Sequence, residues 1–534
     1  MVRLSKTLMR NTVTNYIYLG TYLVSAIFMA RFLLLGLGEN PYGFWTLLWA
    51  IFGYSLLLDF GFGKTIVKFT AEYQADKDIK RYSQIISSVF MCYLVMSIIL
   101  IIASAFLTYF YHLVFQVKDM LNQNGKLDIR YYKLCFMIFA IGIAAVFPTG
   151  IIPEILVGLK RFDIKNYVLI VNTVCNLAGV WIILHCGGWL LSLSIFTAAL
   201  NILTNVVMAV YVFKLVPGLK ISPFSFKLSR IKEIADFSLF AYILTMANLV
   251  IFKTDRIVLG VMSGIAMVAV YQIGTRVSDL MKYASSQFQS NISPVTAELY
   301  RSGETKRLTR VMLKSTRISA FICGCAFIVC FISAPQILKI WLKVVNPQAV
   351  MIARIMLASA LFEVMFKSVA EGYILMINKH RIIAIVTVVE AVLNIVLSVS
   401  LVYMYGVVGV AWGTLIPGAF LCLFVIFPLF AQYSGTSMFK YLTNVYLPVG
   451  LISILPALLM WYAWESITIH EVSTFSLIGV TGGAGLLYSI LGVLFFFSRD
   501  EREILIDAVP YLPGFVIKII RGLPCFVRRE EPQV

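Results

Sequence analysis

Ionisable and polar side chains interrupt several long apolar stretches of this sequence, and one group has the spacing of a helix face. Gln272, Arg276 and Asp279 recur at i, i+4 and i+7, and Lys282 follows on an adjacent face. A guanidinium group can hold two phosphate oxygens at once, so this face is a candidate anion-binding site. The alternative is that Arg276 and Asp279 form an ion pair that joins two helices.

A second group of charges follows helical spacing as well. Glu363, Lys367 and Glu371 recur at i, i+4 and i+8, which predicts a structural ion-pair stripe that neutralises itself. Contact with a substrate is the alternative. Glu390 lies in the next apolar stretch and has no partner within it. It is predicted either to bind a proton or another cation, or to pair with Lys367 from a neighbouring helix.

Two further pairs of candidates lie near predicted helix ends. Asp59 and Lys64 stand among glycines, which predicts close helix packing or a hinge. Lys64 is a second anion-binding candidate, and Asp59 is a coupling or gating candidate. Asp255 and Arg256 lie near the end of another apolar stretch, where they could gate a cavity or reach the polar surface.

The apolar stretches that carry these residues are long and numerous enough to span a membrane repeatedly. Hydrophobic residues make up 60% of the 534 positions and charged residues 13%, whereas soluble domains carry about 25% charged residues. Mean hydropathy is +0.89, and a span needs about 20 mostly apolar residues. The composition therefore excludes a soluble enzyme and predicts an all-α integral membrane protein. A charge at the centre of a span costs on the order of 2.5–3.5 kcal/mol, so each candidate needs a partner or a wet cavity.

Hydropathy, with breaks at glycine, proline and charged residues, predicts about fourteen transmembrane helices. They lie at roughly 11–36, 43–66, 82–112, 131–157, 164–185, 188–213, 233–258, 264–296, 309–334, 348–376, 382–405, 407–433, 441–465 and 474–498. The predicted organisation is an N-terminal six-helix bundle (1–213), a basic cytoplasmic linker (214–232), a C-terminal six-helix bundle (233–433), two additional helices (434–498) and a cytoplasmic amphipathic tail (499–534). Arg276 then lies about 18 Å into the eighth helix, near the middle of the bilayer.

Positive charge is concentrated in the loops on one side of these helices. The net charge is +18, but the lysines and arginines lie in short loops between apolar runs rather than on a polar domain. This pattern excludes nucleic acid as a partner. Because cytoplasmic loops carry the excess of basic residues, both termini are predicted to be cytoplasmic. The linker and the tail are predicted to lie against membrane lipid.

No metal or cofactor is expected. The nine cysteines lie almost entirely inside apolar runs, and the four histidines are scattered, so their spacing does not suggest a metal site. No nucleotide-binding loop has the required spacing, which predicts that any transport is secondary. The loops on the outer side are short and leave no room for a catalytic domain.

Short strings recur in the two halves of the chain. Phe69-Thr-Ala-Glu72 at the end of the second predicted helix has a counterpart in Val295-Thr-Ala-Glu298 of the eighth. The connection that follows Glu154 likewise resembles the connection that follows Glu371. A unit of six helices keeps its orientation when it is repeated, so two parallel bundles around a central cavity are predicted. This is the architecture of a transporter.

Several motifs resemble Wzx-type polysaccharide flippases, which are members of the MOP superfamily together with MATE multidrug exporters and peptidoglycan-precursor flippases. The motifs are Arg31-Phe-Leu-Leu-Leu-Gly36, Tyr42-Gly43-Phe-Trp45, Leu58-Asp59-Phe-Gly61-Phe-Gly63, Gly158-Leu-Lys-Arg-Phe162 and Tyr271-Gln272-Ile-Gly274. The resemblance covers roughly residues 5–433. It implies a core of six plus six helices with two added helices, in the bacterial inner membrane.

The resemblance also implies a function. The protein would move an undecaprenyl-pyrophosphate-linked oligosaccharide, an O-antigen or capsule repeat, to the outer leaflet by alternating access. Its neighbours would be a polysaccharide polymerase and glycosyltransferases. A cation-coupled multidrug exporter is the alternative, for which Glu390 and Asp59 would supply the acidic groups. A membrane enzyme that uses a lipid-linked sugar is disfavoured by the short, acid-poor outer loops.

Overall fold

The structure is a computed structural model, and it describes residues 2–54, 62–110, 115, 128–222, 246–343, 346–377, 379–467, 469–498 and 501–502. Within these residues the regular elements are all helices. Eleven of them are long and apolar enough to cross a membrane. The chain is therefore an all-α, multi-pass membrane protein, as the composition predicts.

The chain divides into two compact units. Unit 1 contains residues 1–272 and 402–407, and unit 2 contains residues 273–401 and 408–534. The change from one unit to the other lies within a single long helix that begins at Ile265. The predicted division into six-helix bundles at a linker over 214–232 stays a prediction.

The described helices of unit 1 follow in chain order. They are α1 (Val2–Leu37), α2 (Glu39–Gly53), α3 (Phe62–Asp76), α4 (Ile79–Tyr109), α5 (Ile129–Val146), α6 (Ile151–Gly158), α7 (Phe162–His185), α8 (Leu190–Leu215), α9 (described over 246–262) and the first part of α10 (Ile265–Arg301). A short 3-10 segment with Pro148 joins α5 to α6. The predicted fourth span is thus one path of two helices, because proline removes a backbone donor.

The described helices of unit 2 continue from the rest of α10. They are α11 (Thr305–Ile332), α12 (Ala334–Leu342), α13 (Pro347–Phe362), α14 (Val369–Met376), α15 (His380–Tyr405), α16 (Val407–Leu421), α17 (Phe427–Tyr433), α18 (Met438–Tyr441), α19 (Leu447–Glu465) and α20 (Thr474–Phe495). Three π-helical segments interrupt this series, at Glu363–Ser368, Cys422–Ile426 and Leu442–Tyr446. Each joins two helices into one continuous path.

Three of the fourteen predicted spans are not among the eleven apolar helices. The second is described at its two ends as α2 and α3, and residues 55–61 between them lie outside the described residues. The seventh is described only from residue 246. The eighth is α10, a helix from Ile265 to Arg301 whose length is confirmed but whose charged side chains lower its hydropathy.

Side-chain caps explain where several helices begin. Asp78 accepts hydrogen bonds from the backbone of Lys80 and Arg81 at the start of α4, and Asp128 caps α5 in the same way. Asn346 caps α13 just before Pro347. Such caps satisfy backbone N–H groups that have no partner inside the helix.

The first part of the predicted linker packs into the core of unit 1. Val216 and Leu219 belong to a buried cluster with side chains of α3, α4 and α6. Ser87 of α4 donates to the carbonyl of Lys220 at 3.2 Å and accepts from the backbone N–H of Ser222 at 3.1 Å. These residues are therefore held against α4 rather than against lipid, because their apolar side chains find a protein core. Residues 223–232 of the linker lie outside the described residues.

Close helix packing explains why α9 and the start of α10 belong to unit 1. A Cβ placed on Gly43 of α2 would lie 1.8 Å from the carbonyl oxygen of Ile265. Gly260 of α9 lies similarly close to Leu47, with a Cβ distance of 3.0 Å. Two glycines thus let the backbones approach, as small residues do in membrane helix pairs.

Candidate functional site

The hairpin of α9 and α10 contains polar contacts of two predicted site residues, Asp255 and Arg256. Gly264, with φ +91°, allows the sharp turn between the two helices. The Tyr271 hydroxyl donates to the Asp255 carboxylate at 2.5 Å, and Arg256 Nε donates to Gln272 Oε1 at 2.6 Å. Asp255 and Arg256 thus each have a neutral hydrogen-bonding partner on the opposite helix.

The hairpin is also bonded to the end of α2. The hydroxyls of Tyr54 and Thr254 share a hydrogen bond. Within α9, Arg256 also donates to the carbonyl of Phe252 at 2.6 Å. Asp255 is 4% exposed and Gln272 is 7% exposed. The buried position of these two groups fits a structural role in the hairpin, and the predicted role of Asp255 and Arg256 in gating stays a prediction.

An ion pair joins α10 to the first π-helical segment of unit 2. Lys282 Nζ lies 2.7 Å from Glu363 Oε2, and the side chains are 9% and 31% exposed. Asp279 and Glu390 are further acidic neighbours of the Lys282 ammonium. Lys282, a predicted anion-binding residue, is therefore neutralised by a carboxylate of this chain.

A second ion pair joins the same π-helical segment to α15. Lys367 Nζ lies 2.6 Å from Glu390 Oε2, and the two side chains are 9% and 11% exposed. Both residues lie within apolar candidate spans. Of the two predicted roles of Glu390, the structure contains the pairing with Lys367, and the coupling role stays a prediction.

The π-helical segment corrects the predicted self-neutralising stripe. Glu363 and Lys367 would be neighbours on one face of an α-helix, at i and i+4. The chain is instead π-helical over Glu363–Ser368, and its i→i+5 hydrogen bonding changes the angle between the two side chains. Their closest ionic partners are consequently Lys282 and Glu390, which lie on other helices.

Glu371, the third member of the stripe, differs from the other two. It lies in α14, its side chain is half-buried, and its charged neighbours are Lys367, Glu390 and Glu363. Among the residues that the structure describes, its carboxylate makes no hydrogen bond or ion pair within 4.0 Å. The five side chains of Lys282, Glu363, Lys367, Glu371 and Glu390 therefore include three carboxylates and two ammonium groups.

The remaining candidates are described to different extents. Arg276 and Asp279 are half-buried on α10, and an ion pair between them stays a prediction. Lys64 belongs to α3, but its side chain lies outside what the structure describes. Asp59 lies outside the described residues altogether.

Arg317 is a buried cation that the sequence analysis did not identify. Its Nε lies 2.9 Å from Glu501, its guanidinium group stacks 4.4 Å from the Phe496 ring centre, and it donates to the carbonyls of Asn444 and Phe496. The signal was an arginine inside the ninth predicted span, 309–334. Its partners were hidden because they lie far along the chain, in the π-helical segment Leu442–Tyr446 and in the residues after α20.

The ion pairs of unit 2 form a candidate anion-binding site. In the described part of the chain, no group of three histidine, cysteine, aspartate or glutamate side chains is placed to hold a metal ion. A buried cation that is paired with a carboxylate can take another anion if that anion replaces the carboxylate. The ion pairs of unit 2 could exchange their carboxylate for another anion in this way. The hydrogen bonds of the α9–α10 hairpin instead hold Asp255 and Arg256 in place.

Comparisons with known proteins agree on the fold. The structure is similar to that of the lipid II flippase MurJ in an inward closed conformation, with a TM-score of 0.68 and 15% identity over 90% of this chain and 97% of that one. It is also similar to an inward-facing multidrug resistance MATE transporter of the MOP superfamily, with a TM-score of 0.61 and 14% identity over 78% of this chain and 94% of that one. A MOP superfamily transporter from Pyrococcus furiosus aligns with a TM-score of 0.55 and 15% identity, over 81% of this chain and 95% of that one.

At such low identity these likenesses establish the fold alone, which is that of MOP superfamily transporters. No curated protein sequence matches the chain. The sequence itself matches the family described as polysaccharide biosynthesis protein over residues 8–300, which is more than half of its length. With this match and the shared fold, the chain belongs to the polysaccharide biosynthesis protein family.

Proposed function

We propose that this protein is a flippase that moves an undecaprenyl-pyrophosphate-linked oligosaccharide from the cytoplasmic to the outer leaflet by alternating access. The cargo would be an O-antigen or capsule repeat. The observation that carries the proposal is the long helix α10, with the cations Arg276 and Lys282 in its first half, in a member of the polysaccharide biosynthesis protein family. Guanidinium and ammonium groups are the side chains that recognise phosphate oxygens.

In this proposal the anion-binding face of α10 holds the pyrophosphate. Arg276 and Lys282 are the principal contacts, Gln272 and Asp279 orient them, and Lys64 of α3 is a further cationic contact. In this proposal the protein is a secondary transporter and not an enzyme. It works in the bacterial inner membrane with both termini in the cytoplasm, beside glycosyltransferases that make the cargo and a polymerase that uses it.

The test expresses two arginine variants of the protein in a strain that lacks its gene. Arg276→Gln should abolish surface polysaccharide because it removes the bidentate phosphate contact, while resistance to cationic drugs should not change. Arg354→Gln is the matched control, since Arg354 is an exposed arginine of α13. Surface polysaccharide is measured by gel staining and drug resistance by growth inhibition. Normal polysaccharide with lost drug resistance would contradict the flippase proposal.

A cation-coupled multidrug exporter is the second candidate. The observation that favours it is the carboxylate of Glu371, which lies among charged groups without an ion pair of its own in the described residues. An exporter of organic cations would need such an acidic group, together with Glu390 and Asp59. It predicts that Glu371→Gln lowers drug resistance and leaves the polysaccharide intact.

A further inference from the structure

Two buried ion pairs of unit 2 share one short segment of chain. The π-helical segment Glu363–Ser368 contributes its acid, Glu363, to Lys282 of α10 and its base, Lys367, to Glu390 of α15. The distances of 2.7 Å and 2.6 Å are those of charge-assisted hydrogen bonds. The segment therefore joins two neighbouring helices through opposite charges.

The acid and the base of this segment could also pair with each other. In an α-helix, side chains at i and i+4 are neighbours, with their Cβ atoms about 5–6 Å apart. The sequence spacing of Glu363 and Lys367 is this spacing, so the α-helical form of the same residues favours an internal pair. The π-helical form favours the two pairs with Lys282 and Glu390.

Side chains around the segment support its π-helical form. The Tyr446 hydroxyl donates to the carbonyl of Met365 at 2.9 Å. Ser285 of α10 donates to Ser368 at 2.8 Å. A π-helical turn departs from the regular i→i−4 ladder, and such turns are frequent at functional sites. The Tyr446 contact supplies a partner for one backbone group of this turn.

Charge explains what would move the segment from one form to the other. Removing one partner of a buried ion pair is strongly destabilising, because the remaining charge is left without compensation. An anion that takes the place of Glu363 at Lys282 would therefore lower the cost of breaking this pair. Once Glu363 has left, its carboxylate needs a cation, and the nearest one in sequence is Lys367.

We propose that Glu363 and Lys367 exchange partners when an anionic ligand binds Lys282, so that binding of the anion releases Glu390. This inference rests on the proposed function, because the pyrophosphate of the cargo is the anion. Glu363 is then a resident counter-ion that occupies Lys282 while the site is empty. Glu390 is the carboxylate that loses its ion pair in this exchange. Glu371 and Cys422 also lie near Lys367.

The inference gives Glu363 a role that a purely structural acid would not have. A structural acid stabilises the protein equally with and without a ligand. A resident counter-ion competes with the ligand, so its removal should weaken the fold and strengthen anion binding at the same time. This opposite change in two measurements is the signature to look for.

The first experiment measures pyrophosphate binding to the purified full-length protein in lipid nanodiscs. Glu363→Gln should lower the Kd for inorganic pyrophosphate by about tenfold, because the competing carboxylate is gone. Glu371→Gln is the matched control, since it removes one negative charge from the same group without breaking an ion pair. It should change the Kd by less than about twofold. A Kd for Glu363→Gln that equals or exceeds that of the wild type overturns the inference.

Thermal unfolding keeps the test valid if the variant is unstable. Pyrophosphate should raise the Tm of Glu363→Gln by more than it raises the Tm of the wild type, because the anion replaces the missing carboxylate. Glu363→Asp keeps the charge with a shorter side chain, and its Tm gain should lie between the two. Equal gains in all three proteins overturn the inference.

The second experiment asks whether Lys367 changes partner. A double-mutant cycle of Lys367→Met and Glu390→Gln reports the coupling between these two side chains through the Tm. The coupling should be present without pyrophosphate and at least halved at saturating pyrophosphate. A coupling that pyrophosphate leaves unchanged overturns the exchange of partners.

Failure of this inference and failure of the proposed function have different outcomes. Loss of surface polysaccharide in the Arg276→Gln strain supports the flippase irrespective of the binding data. If that strain loses polysaccharide but pyrophosphate does not displace Glu363, the exchange is overturned and the flippase remains. If polysaccharide is normal in that strain, the proposed function fails even where the pyrophosphate measurements succeed.

Discussion

One Lys–Glu pair joins the helices on either side of a short connection in each unit, and the two pairs differ in burial. In unit 1 the pair is Lys165–Glu154, with a distance of 3.3 Å and side chains that are 24% and 32% exposed. In unit 2 the pair is Lys367–Glu390, with 2.6 Å and side chains that are 9% and 11% exposed. The predicted repeat relates these two helix pairs.

The two pairs also differ in their distance from the connection. Glu154 and Lys165 flank it closely, whereas Lys367 lies about 14 Å from the end of α14, at about 1.5 Å per residue. A second contact is shared, since an asparagine amide donates to a threonine hydroxyl between the following helices of each unit. The bonds are Asn172–Thr204 at 2.7 Å and Asn394–Thr414 at 3.0 Å. Among the described residues, both units thus have an asparagine–threonine contact between the following helices, and the Lys–Glu pair of unit 2 is the more deeply buried of the two.

The largest effect should come from removing one partner of the buried pair. Lys367→Met leaves Glu390 buried without compensation, and we expect a loss of about 3–5 kcal/mol of stability. The measurement is thermal unfolding in nanodiscs. Lys367→Met combined with Glu390→Gln should recover most of the loss. A single variant as stable as the wild type would remove the distinction between the two units.

A smaller and similar effect is expected at the shared hydrogen bond. Asn172→Ala and Asn394→Ala each remove one amide–hydroxyl contact between membrane helices, which costs about 0.6 kcal/mol on average and about 1.7 at most. Both variants are compared by the same unfolding measurement. Similar losses would support a preserved contact, and a loss confined to one variant would contradict it.

The smallest effect should come from the partly exposed pair of unit 1. Glu154→Gln should cost at most about 1 kcal/mol, since solvent screens exposed ion pairs. The unfolding temperature of the wild type and this variant should converge as the NaCl concentration rises. A large loss that salt does not reduce would show that Lys165 and Glu154 are as shielded as Lys367 and Glu390.

The sequence predicted the class of fold because composition and hydropathy depend on the whole chain. Eleven of the predicted spans are described as apolar helices, and α10 has the predicted helical form around Arg276. Boundaries were less accurate where helices change geometry. The break at Pro148 within the predicted fourth span is an example.

The partners of the charged residues could not be read from the sequence. The spacing of Glu363 and Lys367 predicted that they pair with each other. The π-helical turn that separates them depends on contacts such as that from Tyr446, which the spacing does not reveal. Arg317 had no visible partner within its own helix. The apolar Val216 and Leu219 were predicted on a membrane surface, because local composition does not distinguish lipid from a protein core.

The contact between Arg317 and Glu501 makes the segment after the last helix part of the membrane fold. Glu501 also accepts from the backbone N–H of Ser498 at 2.9 Å, so one carboxylate orders the segment after α20 and neutralises Arg317 of α11. A chain that is cut between these residues would leave the Arg317 guanidinium buried without its carboxylate. The shortest chain that keeps this interior intact is therefore set by an arginine of the ninth predicted span, and a chain cut before Glu501 would carry a defect in its interior.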